Sequence, residues 1–329
     1  MLDRVLHSVT VTAPARLHFG FLDLSGDLGR RFGSIGLAIS GLQTRMTLAT
    51  AEQTRIDGGE ADRARRYVER FQRSLGLQGG YRIHIDQSVA GHAGLGSGTQ
   101  LALALARGIR QLHGLPPDTR GDAIRLGRGA RSGVGIGVFD SGGLIVDGGR
   151  WPNEGVAPVV SRIPFPDDWR VIVVLDPRCR GVSGEQELAA FAKLPPFSAT
   201  DSGRICRLVL MQALPAAAEN DLASFAGAIS EMQQILGAHF APLQGGASFT
   251  SPVVQSTLEL LQAEGACGLG QSSWGPTGFT FAESREQAER LAALARRHPR
   301  GRGLDIRVCR GLNRGARVES DIAAAVSNS

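Results

Sequence analysis

The sequence points to an α+β protein of two domains, on three observations. Its 329 residues exceed what one ordinary core needs, and 42% of them are hydrophobic, as in folded proteins with a proper interior. The first half is dominated by short strand patterns, whereas the second alternates helices with single strands rather than repeating a strict βαβ unit. Between them "VAPVVSRIPFPDDW", Val156 to Trp169, is proline-rich and precedes a very apolar strand. The boundary falls there, giving an N-terminal domain over 1–165 and a C-terminal domain over 166–329.

The elements follow from periodicity. "VTVTAPARLHF" and "TRMTLATA" read as strands by alternation and β-branched content. "ADRARRYVERFQRSLG" has apolar positions at helical spacing and stops on a glycine. The strand "YRIHIDQSV" leads into "HAGLGSGTQLALALARG", a glycine loop opening a helix from about Thr99 to His113. "GVGIGVFDSGGLIVDGG" reads as a hairpin turning at Ser141-Gly142-Gly143. In the second half "RVIVVLDP", "GFTFAE" and "LDIRVCR" are strands. "GEQELAAFAKL", "SGRICRLVLMQALPAAAEN", "DLASFAGAISEMQQIL", "PVVQSTLELLQAEG" and "REQAERLAALARRH" are helices.

Composition removes several classes of function. The longest apolar run, near Leu101 to Ile109, is too short to span a bilayer, and the start lacks an apolar segment with a small-residue cleavage site. A cytoplasmic protein with no membrane partner is expected. Cys179, Cys206, Cys267 and Cys309 show no metal-ligand spacing, so they are expected as reduced core residues, with no zinc. The net charge is +5, and Lys193 is the sole lysine. It sits in a helix end and loop, which argues against Schiff-base chemistry and against pyridoxal phosphate. Arginine instead offers a planar fork for phosphate and carboxylate. The densest basic stretch, "RRHPRGRG" from Arg296 to Gly303, has no interleaved aromatics and reads as a solvated helix end, so no nucleic-acid partner is expected.

The helix mouth is the chief candidate site. Unpaired N–H groups at a helix start carry the positive end of the helix dipole, so Gly94, Gly96, Ser97, Gly98 and Thr99 could wrap a phosphate. The bland alternative is a tight strand-to-helix turn capped by Thr99. Far downstream, "GLGQSSWGPTGFTF" contributes a second glycine- and serine-rich turn that could close on the same polyanion, or be a plain hairpin.

Three stretches, "APARLHFGFLD", "GLGSGTQLALALA" and "GQSSWGPTGF", are similar in order and spacing to the three motifs of the GHMP kinase superfamily. Within it, Arg16-Leu17-His18-Phe19-Gly20, the "HxGLGSGTQ" form and "SSWGPT" resemble the β-ribofuranosylaminobenzene 5'-phosphate synthase family. The resemblance implies an N-terminal domain like ribosomal protein S5 domain 2 and a ferredoxin-like C-terminal α/β sandwich. It implies transfer from 5-phosphoribosyl 1-diphosphate to 4-aminobenzoate or 4-hydroxybenzoate, with loss of diphosphate and carbon dioxide. It also implies a place in methanopterin biosynthesis, Mg²⁺ as cofactor, and a homodimer.

The departures from the kinase pattern support that branch. "SGVGIGVFDSGG", Ser132 to Gly143, matches the kinase frame without a gap, yet Gly135 stands where the catalytic Asp would be, and Asp140 is the nearest acid in sequence. Arg16 replaces the Lys of several kinases. A glycine can neither orient nor deprotonate a phosphoryl acceptor. A small-molecule kinase and a non-catalytic ligand-binding member of the fold are the alternatives.

On this reading Gly94, Gly96, Ser97, Gly98 and Thr99 bind diphosphate, with Ser272, Ser273 and Gly275 closing from the second domain and His92 shaping the loop. Arg16, His18 and Asp23 are the catalytic candidates. Arg16 would hold diphosphate or the substrate carboxylate, and His18, near neutral pKa, would shuttle a proton. A core or surface histidine and a turn aspartate are the plain alternatives for His18 and Asp23. Arg30 and Arg31 are candidates for the 5'-phosphate, and Asp176 and Glu187 are weaker candidates.

Overall fold

The computed structural model describes residues 6–89, 91–152, 155–179, 181 and 194–322. Two long strands, β1 (Leu6–Asp23) and β2 (Phe32–Ala51), form the spine of a seven-stranded sheet. β1 pairs with β2 on one edge and, over Leu6 to Thr12, with the last strand on the other. The far edge of β2 divides its partners. Residues 45–51 pair with β4 (Gly80–Gln87), which is joined in parallel by β3 (Arg55–Gly58). Residues 34–37 pair with β5 (Leu144–Asp147), which carries β6 (Val159–Ile163). Helices α1 (Ala61–Leu75) and α2 (Ser97–Leu112) pack on this sheet, with α3 (Thr119–Arg125) and α4 (Val134–Asp140) beside them.

The second sheet, of four strands, has the order β10–β7–β9–β8. Its strands are β7 (Arg170–Leu175), β8 (Cys267–Gln271), β9 (Thr277–Ala282) and β10 (Asp305–Arg310). Among the described residues, five α-helical segments belong to this half of the chain. α5 (Ala199–Leu208) runs through a π-helical turn at Val209–Ala213 into α6 (Leu214–Glu219). α7 (Leu222–Phe240), α8 (Pro252–Ala263) and α9 (Arg285–Arg297) follow. The chain then returns to the first sheet as β11 (Arg317–Ile322).

Alternation along β1 decides what the site can use. Val9, Val11 and Ala13 pack with α1 and α2. Beyond a break in register between Pro14 and Ala15, the residues Ala15, Leu17 and Phe19 enter a core shared with β7, β9 and α7. With those odd positions inward, Arg16 and His18 share the opposite face.

Three expectations are corrected. The supposed hairpin over 134–147 is the helix α4 followed by β5. An apolar run that is buried all round cannot be told from a buried strand by periodicity. The helix is started instead by tertiary partners, since Ser132 Oγ accepts from Val134 N at 3.1 Å and Asp147 Oδ2 from Gly133 N at 2.8 Å. The central helix begins at Ser97 with Gly96, not Thr99, as its N-cap. Among the cysteines Cys309 alone is a fully buried core residue, its thiol pushed up to about 12 by desolvation, while Cys206 is exposed. The helix expected over "GEQELAAFAKL", with Glu187 and Lys193, falls outside the described residues except for Leu194. Among the described residues no helix is long and apolar enough to cross a membrane.

Candidate active site

The free edge of β1 beyond Thr12 carries both glycine loops. Arg16 N donates to Leu95 O at 3.1 Å, and His18 N donates to Ser272 Oγ at 3.0 Å. Ser273 N returns a bond to His18 O at 3.0 Å. The loops also bind each other. Ser272 Oγ donates to Gly94 O at 2.7 Å, and Thr277 Oγ1 donates to Ala93 O at 2.6 Å. A Cβ on Gly94 would lie 2.2 Å from Ser272 O, and one on Gly275 would lie 2.5 Å from Gly94 N, so contact this close needs glycine on both sides.

The Ser272 hydroxyl is bonded on both sides, to His18 N and Gly94 O, so it ties the loops together rather than offering a spare donor. Ser273 lies in the left-handed region at φ 56°. His92 is exposed, with φ 61°, and its carbonyl accepts from Gly181 N at 2.8 Å.

The start of α2 is left uncapped. Gly96 makes no side-chain cap, no acid lies in the first turn, and Gly96 O takes the N–H groups of Thr99 and Gln100. Among the described residues no acceptor meets Ser97 N or Gly98 N. Arginines gather where an acid would ordinarily cap. Arg16 Nη1 donates to Gly94 O at 2.5 Å, and its Cγ lies 2.9 Å from the position of a Cβ on Gly96. Arg63 Nη2 lies 2.2 Å from the position of a Cβ on Gly98. Arg128 donates to Thr99 Oγ1 from both Nε and Nη2 at 3.3 Å. Burial, with Arg63 and Arg131 close by, pulls the Arg128 guanidinium below its ordinary value, partly offset by Tyr67. Like charges held together at an uncapped helix start make a site that favours an anion. Arg63, Arg128 and Arg131 carry no local signal in the sequence because they lie in α1 and in the loop after α3, far from the motifs.

His18 is buried, and desolvation with the charges of Arg16 and Arg131 holds its imidazole well below the usual histidine value. The expected near-neutral pKa is therefore corrected: the ring is neutral at physiological pH. Asp23 ends β1, and its Oδ1 accepts from Ser25 N at 2.8 Å, Ser25 Oγ at 2.7 Å, Gly26 N at 3.1 Å and Ser202 Oγ at 2.8 Å. These bonds outweigh desolvation and keep its pKa below the usual carboxylate value, which makes it a turn residue that also anchors α5.

Arg30 is bound to the carbonyls of Gly148 and Gly149 at 2.9 and 2.8 Å and lies over Trp151. Arg31 reaches Leu24 O at 3.4 Å. Asp176, lowered to about 2 against its own desolvation by bonds from Arg178 and Ser251, joins the end of β7 to the start of α8. Gly135 does face the helix mouth, since a Cβ there would lie 3.2 Å from Thr99 Cγ2. Asp140 sits at the other end of α4, exposed, and accepts from Thr119 Oγ1 at 2.8 Å. It cannot serve the position of Gly135.

Comparison with known proteins places this geometry in a family. The family model for the GHMP kinases N-terminal domain matches residues 62–143, and that for the GHMP kinases C-terminal region matches 213–300. The β-ribofuranosylphenol 5'-phosphate synthase of Archaeoglobus fulgidus is 32% identical, the match covering 93% of this chain and 98% of the relative. The enzyme of that name from Methanothermobacter thermautotrophicus is 30% identical over 93% and 97% of the two chains. Among solved structures, homoserine kinase from Cytophaga hutchinsonii superposes with a TM-score of 0.70 at 17% identity, covering 97% of this chain and 99% of that one. Mevalonate diphosphate decarboxylase from Staphylococcus aureus superposes with a TM-score of 0.68 at 14% identity, covering 95% and 98%. The structural likenesses establish the GHMP fold; with the sequence relatives beside them, the chain belongs to the β-ribofuranosylphenol 5'-phosphate synthase family of the GHMP kinase superfamily.

Proposed function

We propose that this protein joins 5-phosphoribosyl 1-diphosphate to a para-substituted benzoate, 4-hydroxybenzoate or 4-aminobenzoate, releasing diphosphate and carbon dioxide on the route to methanopterin. The observation that carries the reading is an uncapped helix start ringed by Arg16, Arg63 and Arg128, with Gly135 where the kinase pattern has its Asp. The site keeps the means of holding a diphosphate and lacks the acid that would prepare a hydroxyl for phosphorylation. The relatives are named for a ribofuranosylphenol, the product 4-hydroxybenzoate would give, so that acid is the first to test.

In this reading the N–H groups of Ser97 and Gly98 and the surrounding guanidinium groups take up the negative charge that grows on the departing diphosphate. The sugar C1' becomes oxocarbenium-like, and the ring carbon bearing the carboxylate attacks it. Loss of carbon dioxide restores aromaticity. Ser272, Ser273 and Gly275 act by fixing the loop, and Thr99 by orienting Arg128.

Magnesium belongs to the proposal as the counter-ion of the diphosphate. Among the described residues no group of three or more His, Cys, Asp or Glu could hold a metal ion, and the loop offers the Ser97 hydroxyl but no carboxylate. The ion would come held by substrate phosphates, a usual arrangement for Mg²⁺. The test supplies Mg²⁺, phosphoribosyl diphosphate and carboxyl-labelled acid and measures labelled carbon dioxide. Release with either acid supports the reading. No release with either, alongside ATP consumption with an alcohol acceptor, would replace it with a kinase.

A further inference from the structure

An acid stands at the edge of this basic site, and the binding of a diphosphate gives it no purpose. Glu60 precedes α1 with φ 65° and ψ 20°, in the left-handed region that a residue with a Cβ rarely adopts. It is the N-cap of that helix, yet its carboxylate caps nothing; only its backbone carbonyl takes the N–H of Ala64, at 2.9 Å. Backbone strain of this kind persists where a side chain is needed in one place.

The turn is docked on the loop that leads into α2. A Cβ on Gly59 would lie 3.0 Å from Ser88 Oγ, and one on Gly91 would lie 2.9 Å from Glu60 Oε1. Glu60 Oε2 accepts from Arg63 Nη1 at 3.4 Å, and Nη2 of the same guanidinium lies against Gly98. Arg63 therefore spans from the mouth of α2 to the carboxylate. Among the described residues no hydrogen-bond donor meets Oε1, and the side chain is 28% exposed, so a ligand at the mouth can reach it. The plain alternative is a surface ion pair between residues three apart on a helix. Such a pair is worth little when partly exposed, and beside an anion site its carboxylate repels phosphate and draws on Arg63. What an ionised carboxylate attracts is a hydrogen-bond donor, such as a sugar hydroxyl.

We propose that Glu60 determines specificity for the sugar: its Oε1 accepts a hydrogen bond from the 2'-hydroxyl of phosphoribosyl diphosphate while Arg63 holds the α-phosphate. The inference rests on the function proposed above. In that substrate the 2'-hydroxyl is separated from the α-phosphorus by two carbons and one oxygen. A ribose whose diphosphate occupies the mouth of α2 thus extends along Arg63 toward Glu60. A site built to bond a hydroxyl rejects the analogue that lacks it, because its polar group is left unpaired. The same bond strengthens as positive charge grows at C1'.

The test is isothermal titration in Mg²⁺ with three ligands: the carbocyclic analogue of phosphoribosyl diphosphate, in which a methylene replaces the ring oxygen so that the diphosphate stays on, its 2-deoxy counterpart, and inorganic diphosphate. Wild type should bind the carbocyclic analogue at least about tenfold more tightly than the 2-deoxy form, the worth of one charge-assisted bond. Glu60→Ala should bring that ratio below about threefold by weakening the hydroxylated analogue, while inorganic diphosphate binds at least as tightly as to wild type. Glu60→Gln, which keeps an acceptor without the charge, should fall between. Should Glu60→Ala fail to fold, Glu60→Gly, which suits the left-handed backbone, should give the same readings. A role confined to holding Arg63 would weaken all three ligands together. That result, wild type binding both analogues alike, or an undiminished ratio in folded Glu60→Ala would overturn the proposal. Release of carbon dioxide by wild type tests the underlying function separately: release without a preference for the 2'-hydroxyl overturns this inference alone, whereas no release and no binding of the carbocyclic analogue removes both.

Discussion

Replacing Ser272 with alanine removes the hydroxyl that ties the two glycine loops to β1. The side chain is fully buried, and its oxygen accepts from His18 N at 3.0 Å while donating to Gly94 O at 2.7 Å. The two losses are unequal. Gly94 O keeps its bond from Arg16 Nη1 at 2.5 Å, so the carbonyl stays satisfied. The His18 N–H is left buried with no acceptor, which costs about 1–3 kcal/mol. A destabilisation of about 2 kcal/mol is expected, and with an unfolding entropy of about 2.1 cal/mol/K per residue over 329 residues, which is about 1.4 °C per kcal/mol, the melting temperature should fall by roughly 3 °C. Differential scanning calorimetry measures it. The double variant Ser272→Ala with Arg16→Ala removes both donors to Gly94 O, so its loss should exceed the sum of the single losses by about 1 kcal/mol. A Ser272→Ala melting temperature within 1 °C of wild type, or strict additivity in the double variant, would refute the assignment of Ser272 as the tie between the loops.

Arg63→Ala should weaken binding of phosphoribosyl diphosphate by about 10- to 100-fold, the worth of a charge-assisted bond of about 1.5–3 kcal/mol. Its stability should stay within about 0.5 kcal/mol of wild type, because the Glu60 pair it loses is partly exposed; isothermal titration and thermal melts check the two halves. Gly135→Asp should fold, with its Cβ about 3.2 Å from Thr99 Cγ2, and should lower phosphoribosyl diphosphate affinity by placing a carboxylate at the anion site. ATP-dependent phosphorylation by this variant would instead show that a single acid restores kinase chemistry. Buried neutral His18 has a folded pKa below its unfolded value, so below about pH 6.5 the unfolded chain binds the extra proton. Its contribution to stability is then lost as pH falls, at up to about 1.4 kcal/mol per pH unit. Urea titrations between pH 7 and 5 should show a shallower slope for His18→Phe than for wild type.

The motifs were legible because their chemistry is local. A run of glycines and hydroxyls before an Ala/Leu helix announces an anion-binding turn, and the second loop announces itself in the same way. The arginines that complete the site are different. Arg63 sits in "ADRARRYVERFQRSLG", where the charges read as an ordinary solvated helix face, and Arg128 follows a helix, α3, that periodicity did not suggest. Only the packing of α1 and α3 against α2 brings them to Gly98 and Thr99. The helix α4 reads as a strand in the sequence because burial all round removes the polar face that marks a helix. The lowered pKa of His18 likewise comes first from burial and then from Arg16 and Arg131, the last distant in sequence. Return of the last strand, β11, to pair with β1 had no local signal at all.

The measurement that bears most directly on the central claim is which ligand occupies the mouth of α2. Isothermal titration in Mg²⁺ with phosphoribosyl diphosphate and with ATP, on wild type and on Arg128→Ala, decides it. Phosphoribosyl diphosphate should bind wild type, lose at least tenfold in affinity with Arg128→Ala, and resist displacement by a hundredfold excess of ATP. Tight ATP binding that depends on Arg128, with no heat from phosphoribosyl diphosphate, would contradict the account.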